Sequence, residues 1–312
     1  MQVKGRLWNL FFLFSPEIFR LHLKEMSFEY FKYKGVNFSP GSYSEEALSF
    51  AENEFEVLDD DVYIVTYPKS GTNWMIEILS LLRTKGDPTW CNSLPIWLRS
   101  PWYETIEGQS QIKDVVTPRV LTSHLPCHIF AKSFFTSEAK IIYVMRNPKD
   151  ILVSLFHFSK MLSLYKYPKS FAEFFEDFLQ GNVLYNSWFD HVKGWMQMKQ
   201  NSNFFFITYE ELYKDLHKSV IKICEFLGKD LDDSQIDLVI KHSSFNAMKE
   251  NKMSNYSLIP QDFMDQTKGS FMRKGIAGDW KNHFTVAQNE YFDAVYKEQM
   301  KELKMTFFWE QL

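Results

Sequence analysis

The chain has 312 residues, 45% hydrophobic and 24% charged, with only 12 Gly and 11 Pro; this excludes a disordered, collagen-like or low-complexity protein and supports a sizeable core in one large or two ordinary domains. Basic and acidic residues number 35 and 39, for a formal charge of −4, so no global positive field recruits nucleic acid or an anionic membrane and any anion site must be local. The three cysteines, Cys91, Cys127 and Cys224, are odd in number and lack C-x-x-C spacing, which argues against a disulfide framework or a Cys-rich zinc site and for a reducing, cytoplasmic compartment.

In chain order, the first feature is the apolar run Leu7–Phe14, interrupted by Asn9 and preceded by Lys4 and Arg6. It resembles a weak signal-peptide core, but it falls far short of the roughly 18 apolar residues of a membrane span. Ser15-Pro16-Glu17 also shows no small-residue cleavage pattern. Residues 1–25 therefore read as an N-terminal extension carrying a short amphipathic helix, with secretion as the lesser alternative. After Asp59-Asp60-Asp61, Val62–Tyr67 reads as a buried strand, and a helix follows from near Asn73 through Leu82. A second strand over Lys140–Met145 leads through Arg146-Asn147-Pro148 into a helix running through Val153. Helical patterns rich in Phe and Trp cover Ser170–Leu179 and Val183–Gln200. A third strand, Asn203–Tyr209, precedes one helix ending at Leu227-Gly228, with Gly as the left-handed stop. Thr285–Leu303 closes the series as a helix. Alternating strands and helices without a linker predict one α/β domain, a central mostly parallel sheet flanked by helices.

Two strand-to-helix turns carry anion-binding chemistry. In Tyr67-Pro68-Lys69-Ser70-Gly71-Thr72-Asn73-Trp74, backbone N–H groups and the positive end of a helix converge on one point. Gly71 permits close approach of the backbone, Lys69 adds a mobile charge, and Ser70 and Thr72 add hydroxyl donors. The turn is P-loop-like but not a Walker A motif, which needs two glycines ahead of the lysine. An ordinary turn with Ser or Thr capping the helix fits the same residues. At the second turn Arg146 stands at a strand's C-terminal end, where open α/β sheets bind ligands, and Ser154 lies two turns into the next helix. A surface arginine paired with Asp150 is the alternative there.

These segments resemble those of the cytosolic sulfotransferases, from about Met26, where typical members start, to the C-terminus. Residues 67–74 are similar to the family's 5′-phosphosulfate loop, and Arg146-Asn-Pro-Lys-Asp with Ser154 to its 3′-phosphate site. Arg273-Lys274-Gly275-Ile276-Ala277-Gly278-Asp279-Trp280 is similar to its C-terminal nucleotide loop. Lys281-x-x-x-Thr285-Val286-x-x-x-Glu290 matches its dimerisation motif, which implies a homodimer. Pro95–Trp102, Ser123-His124-Leu125-Pro126 and Met248–Ser257 resemble the hydroxysteroid and bile-salt branch. The phenol branch carries Lys where this chain has Thr122, and Leu98 departs from an acidic position of close relatives.

The resemblance implies transfer of a sulfuryl group from 3′-phosphoadenosine 5′-phosphosulfate (PAPS), without metal, to the hydroxyl of a hydroxysteroid, bile acid or similar apolar alcohol. It implies His124 as general base and Lys69 as the charge that stabilises the bridging oxygen. Ser70, Gly71, Thr72, Asn73 and Trp74 would hold the 5′ group, with Trp74 stacking on adenine. Arg146, Ser154, Arg273, Lys274 and Gly275 would hold the 3′-phosphate. Tyr209 with Ser243, Ser244, Phe245, Asn246, Ala247 and Met248 would complete the nucleoside site. Trp97, Trp102, Tyr103, Phe158 and Tyr256 are the candidate acceptor-pocket residues. A metal site of His124, Cys127 and His128 has too few ligands, and Pro126 disfavours the helix that their spacing would need. His157, His191, His242 and His283 read as structural or surface residues. A phenol or xenobiotic sulfotransferase, a P-loop kinase or nucleotidase, and a non-catalytic binder of sulfonucleotide or sterol are the competing readings.

Overall fold

A computed structural model of the chain describes residues 29–311; the expectations for residues 1–25 and for a start at Met26 lie outside them. The first elements are a short antiparallel hairpin, β1 (Phe31–Tyr33) with β2 (Val36–Phe38), and helix α1 (Glu45–Asn53). Strand β3 (Val62–Thr66) then enters the interior and feeds α2 (Thr72–Arg83). Short helices α3 (Ile96–Arg99) and α4 (Ile106–Ile112) precede β4 (Val120–Ser123). Next come β5 (Lys140–Met145), α5 (Pro148–Ser159), α6 (Phe171–Gln180), α7 (Trp188–Met196) and β6 (Phe204–Thr208). Helices α8 (Tyr209–Lys214), α9 (Leu216–Leu227), α10 (Asp233–His242), α11 (Phe245–Glu250) and α12 (Val286–Met300) complete the order.

The four interior strands pair in the order β4-β3-β5-β6, all parallel. Because a strand's side chains alternate between faces, each strand feeds two cores. Tyr63, Val65, Ile141 and Tyr143 pack with the aromatic helices α6 and α7, whereas Ile64, Ile142 and Val144 pack with α2, α9 and α10. Burial on both faces explains why these strands read as continuous apolar runs. Chain order and spatial order part company at β3, since its successor β4 lies on one side and β5 on the other. Open parallel sheets form their ligand crevice at such a switch point, beyond the strands' carboxyl ends.

The expected strands and helices are present, with two differences. The single helix expected after Tyr209 is two, because Asp215 breaks the ladder at φ −150° and caps α9 through the N–H of Lys218. Gly228 does end it, at φ 64°. The helix expected from Val183 starts only at Trp188, since Tyr185 and Asn186 sit at positive φ and Ser187 caps the first turn. Trp102 bridges Thr122 in parallel sense, with the Thr122 N–H on the Pro101 carbonyl and the Tyr103 N–H on the Thr122 carbonyl, before the chain turns away from β4.

A buried ion pair joins the segments around the crevice. Arg99 donates to Glu77 at 2.7 Å, and Ser254 donates to the same carboxylate oxygen at 2.8 Å. Both charged side chains are almost fully buried, so removing one partner strands the other in low dielectric. Arg99→Met or Glu77→Leu alone is expected to lower unfolding free energy by about 3–5 kcal/mol, with the double substitution costing clearly less than either; guanidinium denaturation midpoints at constant slope check this.

Candidate active site

Each interior strand delivers one functional segment to the same edge. The Lys69 turn follows β3, His124 follows β4, Arg146 follows β5 and Tyr209 follows β6. Together with Thr72, Asn73, Trp74, Ser154, Ser243, Phe245, Met248, Arg273, Lys274 and Gly275 they line one open cavity of roughly 210 Å³.

The turn before α2 leaves its backbone donors free at the helix start. Gly71 stands at the helix N-cap with φ 107°, and no side chain caps the helix, so the capping alternative does not hold. The first intrahelical bond runs from the Met75 N–H to the Gly71 carbonyl, leaving the preceding N–H groups without helical partners. A Cβ on Gly71 would lie 2.9 Å from the Tyr209 ring, so a larger residue would close the approach. Gly275, across the cavity at φ 66°, is tighter still, with a Cβ 2.1 Å from the Phe245 ring. Ser70 Oγ, Trp74 Nε1 and Arg146 Nε are buried with no hydrogen-bond partner. Orphaned donors around a cluster of cations fit a ligand rich in anionic oxygens.

Arg146 is not paired with Asp150. Its guanidinium donates to the carbonyls of Lys69 (3.1 Å) and Ile276 (2.9 Å) and lies 4.1 Å over the Tyr209 ring. Asp150 instead accepts the N–H groups of Gly278 (2.6 Å) and Trp280 (2.9 Å), fastening the tail loop to α5. Within that loop Asp279 pairs with Arg273 at 2.7 Å and Lys274 at 2.6 Å. Burial opposes its ionisation, but hydrogen bonds from Lys274, Asn282 and Arg273 hold its carboxyl well below the usual range.

Lys69 sits at φ 71°, a left-handed conformation unusual for a side-chain-bearing residue. Its Nζ lies 3.7 Å over the Phe158 ring and 4.6 Å over that of Phe271. Burial, and then the charges of Arg146 and Arg273, push its pKa down to about 7.

His124 is held from several directions. Its N–H donates to Glu104 at 2.8 Å, and its carbonyl lies 3.2 Å from Nε2 of the buried His191. Burial raises the Glu104 carboxyl to about 8, against the opposing His124 N–H. The His124 Nδ1 is 2.8 Å from the Thr66 carbonyl, which can only accept, so Nδ1 carries the proton and Nε2 keeps its lone pair. The ring rests between Trp102 and Tyr185. Burial pushes its pKa down to about 4; the Thr66 carbonyl opposes this and the Lys69 charge adds to it, so the ring is neutral near pH 7 and free to accept a proton.

Several expected residues lie elsewhere. Ser70 is adjacent to the cavity but fully buried. Ser244 is the N-cap of α11, its hydroxyl held by Ala247 and Lys241. Phe245 and Met248, three apart on that helix, face the cavity, whereas Asn246 and Ala247 do not line it. Trp102, Phe158 and Tyr256 line the cavity, but Tyr103 and Trp97 do not. Tyr103, at the turn that follows Trp102, points to the opposite face, where its hydroxyl accepts the Ala131 N–H at 3.1 Å within an aromatic core. Trp97 packs behind Tyr256, 5.3 Å between ring centroids. Leu98 packs against the second core outside the cavity, and Thr122 is buried with its hydroxyl donating to the Ser100 carbonyl. Pro68, Tyr165, Phe271, Met272 and Ile276 also line the cavity; Pro68 and Ile276 fall within the two expected loops, and Phe271 and Met272 adjoin the second, a signal that could have included them, whereas Tyr165 had none.

Comparison with known proteins points to one family. The sulfotransferase domain family matches residues 59–304. Sulfotransferase 2B1 of Mus musculus is 55% identical over 89% of this chain and 84% of its own. The 3-beta-hydroxysteroid sulfotransferase of Cavia porcellus is 51% identical over 89% and 97%. The crystal structure of mouse sulfotransferase SULT7A1 complexed with PAP superposes with a TM-score of 0.72 at 34% identity, covering 87% of this chain and 95% of that one.

The Lys69 charge is a stability liability that follows from its surroundings. Its folded pKa is lowered, so between about pH 7 and its ordinary range near 10.5 the unfolded chain binds more protons, and stability rises with pH across that window. Lys69→Met should therefore raise Tm at pH 7 by at least about 2 °C and flatten that rise, read by thermal unfolding from pH 7 to 10.

Proposed function

This chain belongs to the sulfotransferase family, and from that premise we propose that it transfers the sulfuryl group of PAPS to the hydroxyl of a hydroxysteroid, bile acid or similar apolar alcohol. The observation that carries the reading is a neutral imidazole facing one cavity with three basic side chains, Lys69, Arg146 and Arg273. PAPS, when bound, supplies an electrophilic sulfur and a phosphate that leaves with negative charge. Arg146, Ser154, Arg273, Lys274 and Gly275 would hold its 3′-phosphate, and Ser70 to Trp74 its 5′ end. Lys69, close to neutrality when the site is free, would be charged by the anion beside it and would then stabilise the oxygen from which sulfur departs. His124 would take the acceptor's hydroxyl proton on Nε2, its Nδ1 being committed to Thr66. Trp102, Phe158, Tyr165, Tyr256 and Phe271 would enclose an apolar acceptor, leaving one hydroxyl at the imidazole. The 51% identity to a 3-beta-hydroxysteroid sulfotransferase supports a steroid over a phenol.

The experiment measures turnover of labelled PAPS with a panel of sterols, bile acids and phenols, for wild type and His124→Ala. Sterol or bile-acid turnover is expected. The variant should lose at least about 100-fold in kcat while its affinity for PAP stays within threefold. Surviving turnover removes His124 as base, and preferred turnover of phenols overturns the acceptor class.

Residues 26–312 are taken as the catalytic domain. The three free cysteines accord with a cytoplasmic setting, and among the described residues no helix is long and apolar enough to cross a membrane. Homodimerisation through Lys281–Glu290 is supported by Val286, 75% exposed at the start of α12. Val286→Glu should abolish the dimer in light scattering while monomer turnover persists; a dimer unaffected by it removes this surface.

A further inference from the structure

Thr66, the last residue of β3, is fully buried and meets two functional side chains at once. Its hydroxyl lies 3.0 Å from His124 Nδ1 and 2.7 Å from the hydroxyl of Thr72, the first residue of α2. The direction of these bonds follows from chemistry. Nδ1 bears a proton, because the Thr66 carbonyl 2.8 Å away can only accept. The Thr66 hydroxyl, facing the same N–H, therefore accepts and turns its own proton toward Thr72. The Thr72 oxygen accepts that proton's bond, which leaves its own hydrogen to point into the cavity that Thr72 lines.

We propose that Thr66 is a positioning residue that couples His124 to Thr72 as one directed hydrogen-bond chain, running from the base to the side of the site that receives the leaving phosphate. The inference rests on His124 acting as base. As the acceptor oxygen bonds to sulfur and the bond from sulfur to the bridging oxygen breaks, the hydroxyl proton goes to Nε2. The ring becomes positive while the leaving phosphate becomes more negative. A positive ring makes Nδ1–H a stronger donor, which polarises the Thr66 hydroxyl and, through it, the Thr72 donor. Such chains strengthen each bond by about 10–30%. No proton moves along the chain; it carries polarisation from the site where positive charge arises to the site where negative charge collects. The strand register makes the link possible, since Val65 pairs with Ser123 and the next residues, Thr66 at the end of β3 and His124 just past β4, lie side by side.

Thr66→Val keeps the branched shape and the backbone carbonyl but removes the hydroxyl, and Thr66→Ser keeps the hydroxyl but not the methyl. The expected result is a kcat about five- to tenfold lower for Thr66→Val and within about threefold of wild type for Thr66→Ser. Acceptor KM and PAP affinity by calorimetry should stay within threefold in both, with thermal unfolding confirming the fold. In a double-mutant cycle, Thr66→Val added to Thr72→Val should slow kcat no further. Wild-type kcat in Thr66→Val, an equal loss in Thr66→Ser, or additive losses in the cycle would overturn the chain. Should Thr66→Val not fold, Thr72→Val against Thr72→Ser breaks the same chain from its other end, and equal rates for that pair overturn it. A silent Thr66→Val beside an inactive His124→Ala removes the relay and leaves the base, whereas an active His124→Ala removes both.

Discussion

The site depends on the register between β3 and its two parallel neighbours. Val65 pairs with Ser123 on one side and Thr66 with Val144 on the other, so the Lys69 turn, His124 and Arg146 leave the sheet at the same height. A one-residue slip of β4 would displace His124 by about 3.3 Å and turn it to the opposite face. Both faces of the sheet are buried against helices, which makes any slip expensive across the whole strand. The rigidity of the core thus becomes positional accuracy at the crevice.

On that frame the protein assembles an electrostatic arrangement that opposes its own stability. Lys69 is enclosed near Arg146 and Arg273, and its backbone is left-handed. The nearby carboxylates are occupied elsewhere: Asp150 holds the backbone of the tail loop, and Asp279 pairs with Arg273 and Lys274 inside it. These acids fix the loop that delivers cations without filling the cavity with negative charge. The local excess of positive charge exists although the whole chain is slightly acidic. Its depth in the crevice, with low-dielectric walls, is what makes so few charges effective.

The aromatic residues divide between two tasks. Most interlock in the core, as Tyr63, Tyr103, Phe130 and Phe134 do with edge-to-face contacts. A smaller set encloses the cavity, with Tyr256 stacked on Phe271 at 4.1 Å between centroids and Phe271 in turn 5.8 Å from Phe158. The Lys69 Nζ rests over Phe158 and Phe271, so the aromatic wall of the cavity also holds one of its basic groups.

The sequence alone determined the alternation of strands and helices and the family, and it marked the Lys69 and Arg146 turns as candidates for anion binding. Those properties are local: buried strands need continuous apolar runs, and a phosphate turn needs glycine, hydroxyls and a free helix start in adjacent positions. The tertiary structure decided what depends on partners distant in the chain. Trp102 and Tyr103 are neighbours of similar chemistry, yet the bridge to β4 at Trp102 and the turn that follows it send one to the cavity and the other to the core. Thr66 reads as an ordinary strand residue until β4 brings His124 beside it from 58 positions away. Tyr165 likewise joins the cavity through folding, because proximity across a chain is set by packing rather than by pattern.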